Sequence, residues 1–166
     1  MSTAIEGLVF GYRKNLDYGL KLVADLAEHQ WSQPPATDLP APANHPAWVF
    51  SHLNAYLPVI AAVIQGEPFS DPKDHPFGMQ SHPQDDRTLY LAGGELQETF
   101  ATGHEQIIQL LEGSDASVLE QPITLPRWKE IMPRAGIALP YLMLNHENIH
   151  LGQVSAWRRV KGFPSV

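Results

Sequence analysis

Residues 139–161 read LPYLMLNHENIHLGQVSAWRRVK. Met143, His146, His150, Gln153, Trp157 and Val160 follow one another at steps of three or four, which puts them on one face of an α-helix. Pro140 falls in the first turn, where a missing N–H is tolerated. Gly162 and Pro164 supply the stop. Arg158, Arg159 and Lys161 sit at the end where the helix dipole favours cations. The spacing therefore predicts a helix from about 139 to 161 with two histidines on its inward stripe.

Prolines mark the other boundaries. None of the 15 falls within residues 1–33 or 84–121. Proline inside a helix costs about 3 kcal/mol, so both windows read as long helices. Ile5, Leu8, Tyr12, Gly19, Leu22 and Leu26 form the inner face of the first. Leu89, Gly93, Leu96, Phe100, Gly103, Ile107 and Leu111 form that of the second, with Asp85 and Asp86 as its cap. Gly93 and Gly103 leave room for a neighbouring helix. Another helix is expected to begin at Asn44-His45-Pro46, with Asn44 as cap. Its inner stripe is Val49, His52, Tyr56, Val59 and Val63, flanked by Leu53 and Ile60. Pro58 should kink it and Gly66 end it.

The connections are then 32–43, 67–84 and 113–138. The last two are long for a bundle and suit crossovers. Residues 117–119 and 123–125 are expected to pair briefly as strands. The fold expected is all-α: one domain over residues 1–166, a four-helix bundle with long crossover connections.

Composition narrows the function. Apolar residues make up 43% of 166, enough for a real core. With 11 Lys and Arg against 18 Asp and Glu, the net charge is −7, which argues against nucleic-acid phosphates or anionic membranes as partners. No cysteine is present, so disulfides, thiolate metal sites and a cysteine nucleophile are all excluded. No run reaches the roughly 18 apolar residues expected of a membrane span. The chain start lacks a basic-then-apolar leader. The expectation is a cytoplasmic protein with a small-molecule substrate, no nucleic acid and no membrane.

His146 and His150, four residues apart, stack on one helix face and can reach one ion. His52 occupies the inner stripe of another helix, so three imidazoles point into one bundle. A single histidine on an apolar stripe is more often a core residue with a backbone partner. A buried pair is different, because each ring nitrogen left unpartnered costs about 1–3 kcal/mol. His45, His75 and His82 each precede proline and read as solvated turn residues, with His45 near the site mouth. His29 and His104 lie off the stripes and read as surface residues.

Residues 146–150 also spell H-E-x-x-H, the zinc-peptidase pattern. No Glu, Asp or His follows His150 to supply a third ligand. Glu147 is therefore read as coincidental, facing water or the pocket rim. Di-iron bundles need Glu-x-x-His pairs and inward carboxylates, and the stripes have none.

The chain resembles the DinB/YfiT-like metal-binding four-helix bundles. The resemblance rests on His52 within 48–53 (WVFSHL), on 144–153 (LNHENIHLGQ) and on the tail 157–164 (WRRVKGFP). It implies His52, His146 and His150 as ligands of one divalent ion, nickel or zinc. It also implies a homodimer, and activities that include thiol-dependent transfer with a low-molecular-weight thiol cosubstrate and hydrolysis. Three neutral imidazoles leave a divalent ion its full charge and an open position, the mark of a catalytic site. Gln153, one turn beyond His150, is read either as a partner of bound water or substrate or as a packing amide. Tyr56, four residues after His52, is read as a proton donor or as core. Trp48 and Trp157 read as packing residues. The readings carried forward are a metal-dependent enzyme, a non-catalytic metal-stabilised binding or dimerisation bundle, and a metal-free bundle with satisfied core histidines.

Overall fold

A computed structural model describes residues 2–35 and 43–166, so the part of the first connection between them lies outside the described residues. The helices are α1 (Thr3–Val23), α2 (Pro46–Gln65), α3 (Gly93–Glu112), the short α4 (Pro126–Lys129) and α5 (Ala135–Pro140), and α6 (Glu147–Val160). A π-helical stretch, Tyr141–His146, joins α5 to α6. The final helix read from sequence is therefore a composite of α5, the π stretch and α6, and it starts at Ala135 rather than 139.

Local chemistry explains the starts and stops. Ser2 caps α1 by accepting from the Ile5 N–H. The cap of α2 is His45, not Asn44. Its Nδ1 accepts from the Trp48 N–H at 3.2 Å, with Pro46 next in the first turn. Pro58 is inside α2, and Gly66 closes that helix at φ +70°.

The start of α3 differs from expectation. Asp86 caps a separate 3₁₀ turn, Arg87–Leu89, and leaves Leu89 exposed. The helix begins at Gly93, where the Glu95 carboxylate accepts from the Ala92 N–H. A Cβ on Gly93 would sit 2.3 Å from the Trp31 indole nitrogen, so the Trp31 contact requires glycine here.

α1 packs against α3 and α6, and α2 packs against the same two. The consecutive helices α1 and α2 thus occupy opposite corners, as do α3 and α6. The 113–138 connection therefore crosses the bundle, as its length suggested, whereas 67–84, also expected to cross, joins the neighbours α2 and α3. The expected strand pair does not form. Residues Ala116–Glu120 make a 3₁₀ turn, while Ile123 N–H donates to the Pro133 carbonyl and Ala135 N–H to that of Gln121. The loop prolines favour these local turns over a ladder.

α2 is long and apolar enough to cross a membrane by length and composition, contrary to the sequence expectation. Most of it is buried among the other helices, which makes it the core helix of the bundle.

The interior has two apolar clusters. One holds Ile5, Tyr12, Ile60, Ile107 and Met143, and the other Leu16, Phe50, Leu96, Phe100 and Leu151. Between them along each helix lie Asn15, His52, His104 and the 146–150 run. A layer of polar side chains therefore divides the core, and the candidate site sits in it.

Candidate metal centre

His52, His146 and His150 each offer one ring nitrogen, and these atoms lie within 4.8 Å of one another. His52 comes from the middle of α2 and is 2% exposed. His146 ends the π stretch and His150 follows on the first full turn of α6. The Nε2 atoms of His52 and His146 face each other at 3.0 Å.

The second ring nitrogens explain how the cluster is aimed. His52 Nδ1 lies 2.6 Å from the Phe77 carbonyl, which only accepts. The proton therefore sits on Nδ1, and Nε2 presents a lone pair to the cluster. His150 Nδ1 lies 2.9 Å from Gln153 Oε1, which also accepts from Asn44 Nδ2 at 2.8 Å. This leaves His150 Nε2 for the cluster in the same way. Such outer partners fix the tautomer and ring orientation of metal-ligating histidines. Trp48 stacks on His52 at 4.8 Å, with its Nε1 tied to Ser81 Oγ.

Burial lowers the pKa of His52 to about 4 and of His146 to about 3, and the His150 imidazole pushes both the same way. Burial also lowers His150, opposed by its bond to Gln153. All three rings are neutral near pH 7, the form that binds metal. The cluster is compatible with a divalent metal ion.

The histidines open onto a cavity of about 550 Å³, walled by aromatic and aliphatic side chains. Tyr56 lines it, and burial raises its phenol pKa. Gln153 is not among the cavity's lining residues; its carbonyl oxygen is engaged by His150 and Asn44. The Pro-rich 67–84 connection supplies the Phe77 carbonyl, Met79 and Ser81.

Two histidine readings and one glutamate reading change. The buried face of α6 is Glu147, Leu151, Val154, Trp157 and Arg158, one step round from the expected stripe, and Val160 is exposed. Glu147 is 3% exposed and meets His104 Nε2 at 3.0 Å. His104, expected on the surface, is fully buried on α3, stacked on Tyr12 at 4.1 Å, with Nδ1 on the Phe100 carbonyl. His45, expected in a solvated turn, is buried, with Nε2 on the Gln84 carbonyl. Glu147 was read as facing water or the pocket rim, yet it and Arg158 are buried, each with a partner. Arg158 bonds Asp25, Leu22 O and Pro164 O. The steps Phe100, His104, Ile107 and Leu111 carried the signal for His104.

Glu147 therefore faces the bundle centre while its neighbour His146 faces the cavity. An H-E-x-x-H peptidase needs that carboxylate beside the metal, and here it is bonded elsewhere.

An all-α bundle with an open three-histidine cluster between two neighbouring helices defines the class of protein. The sequence pattern of the DinB superfamily matches residues 12–154, and the chain belongs to that superfamily. No curated protein matches the chain.

Proposed function

We propose that His52, His146 and His150 hold one divalent ion, nickel or zinc, and that the protein is a metal-dependent enzyme acting on a small molecule. The reaction is a thiol-dependent transfer or a hydrolysis. The observation that carries this reading is the convergence of three neutral imidazoles, two with Nδ1 held by carbonyl oxygens, on the wall of a mostly apolar cavity. When bound, the ion supplies Lewis acidity that lowers the pKa of an incoming water or thiol. The chain's own residues do the rest. The mostly apolar walls give water few partners beside the reacting groups. Tyr56 offers a phenol proton from the wall beside His52. Gln153 and the Phe77 carbonyl orient the two rings they bond.

The test is metal content of tag-free protein alongside His52→Ala and His146→Ala, followed by turnover with a panel of thiols and esters. About one equivalent of metal, lost in both variants, with turnover that follows the metal, supports the reading. Full metal occupancy with no turnover across the panel would move it to the second reading, a non-catalytic metal-stabilised bundle. One observation favours that alternative: no carboxylate lines the cavity to act as general base among the described residues. A homodimer is part of the proposal through the family resemblance, and light scattering tests it.

A further inference from the structure

Arg127 is the one charged residue among the described residues lining the histidine cavity. Its guanidinium is held in place from one side. Nε donates to Asp71 Oδ2 at 2.9 Å and Nη2 to Asp71 Oδ1 at 2.6 Å. It also lies over the Trp128 ring at 5.6 Å. Asp71 takes the Nε–Nη2 side of a group that carries five N–H donors. The Nη1–Nη2 end is left over, and Nη1 has no partner among the described residues. That end is the geometry that grips a carboxylate with two parallel bonds.

The rest of the cavity says what such a carboxylate would be attached to. Met79, Ile131, Ile137 and Tyr141 are 59%, 67%, 41% and 44% exposed, and all four line this cavity. Large apolar side chains left open around one mouth mark a binding surface. The volume of about 550 Å³ lies in the range for small ligands.

We propose that Arg127 is a carboxylate-anchoring residue, so that the substrates of this site are small molecules with an apolar or aromatic body and a carboxylate. This deepens the functional reading above and rests on it for the reaction, but not for binding. Asp71 holds the guanidinium in a fixed orientation, which reduces what Arg127 loses on gripping a ligand.

The experiment uses full-length protein stripped of metal by chelation and dialysis, so that no ion competes for the carboxylate. Binding of 4-phenylbutanoate is compared with that of 4-phenylbutanamide by calorimetry. The acid should bind at least tenfold more tightly than the amide, as expected of a charge-assisted hydrogen-bonded pair. Arg127→Gln should reduce that preference to threefold or less and leave the amide's affinity within twofold. Arg127→Lys, which keeps charge and loses the fork, should fall between. Equal binding of acid and amide, an undiminished preference in Arg127→Gln, or no binding of either probe would overturn the proposal. Zinc uptake is measured separately on the same preparation. Acid preference without zinc uptake would keep the anchor and remove the metal chemistry, and zinc uptake without acid preference would do the reverse.

Discussion

His52 and His150 reach the cluster from different helices, and each has its second nitrogen held by an oxygen. For His150 that oxygen is a side chain, which makes it testable. Gln153→Leu removes the acceptor while the α6 turn around it stays helical. Loss of such a partner typically lowers metal affinity about 10–100-fold. Competition with a chelator of known affinity should show this, with an unchanged helical circular dichroism spectrum. Unchanged affinity would return Gln153 to the role of packing amide. Glu147 gives the complementary test. Glu147→Gln keeps a hydrogen-bond partner for His104 and should leave metal content and any turnover within about threefold, whereas a peptidase glutamate would be indispensable. Glu147→Ala leaves His104 Nε2 without its partner in a fully buried position, which costs about 1–3 kcal/mol. Urea denaturation separates the two variants.

The π stretch decides how α6 is presented. Pro140 has no N–H to give to the helical ladder, and the Tyr141 N–H is shared between Ala138 and Ile137 carbonyls. A π turn takes up one extra residue, and one residue is about 100° of rotation in an α-helix. Asn15 of α1, buried between the two apolar clusters, donates to the Met143 carbonyl within this stretch at 3.0 Å. Asn15→Leu should remove that clamp. Stability should fall by about 1–3 kcal/mol, and metal affinity should fall with it because His146 lies in the same stretch. Stability loss with full metal affinity would show that the π geometry holds without Asn15. Sequence periodicity could not reveal this stretch, because a regular 3.6-residue period was assumed through Pro140. Gly93 is a second case at this scale. It was read as leaving room for a neighbouring helix, and the group that fills that room is instead the Trp31 indole, from outside the long helices. Gly93→Ala meets a side chain that is 1% exposed and cannot swing away, so it should cost about 1–3 kcal/mol by denaturant titration. Gly94→Ala, with nothing near its Cβ, serves as the control.

At the scale of the molecule, apolar spacing and proline placement made the four long helices and the histidine trio legible, because both act locally along the chain. What was not legible depends on partners distant in sequence. The burial of His104 and Glu147 requires a bond across the α3–α6 diagonal, and the tautomer of His52 is set by a carbonyl 25 residues away. The same long-range organisation predicts how metal acts on stability. The ligands come from α2 and from the π stretch and first turn of α6, neighbours in the bundle that lie far apart in the chain, so an ion bound there ties the two segments together. Metal at 100 times its dissociation constant adds about 2.7 kcal/mol to the folded state by mass action. For a domain of this size each kcal/mol raises Tm by about 2–4 °C. Zinc added to stripped protein should therefore raise Tm by about 5–10 °C, and His146→Ala should abolish the shift. A wild-type Tm insensitive to both zinc and chelator would point to a metal-free bundle, in which the His52–His146 bond serves the core alone.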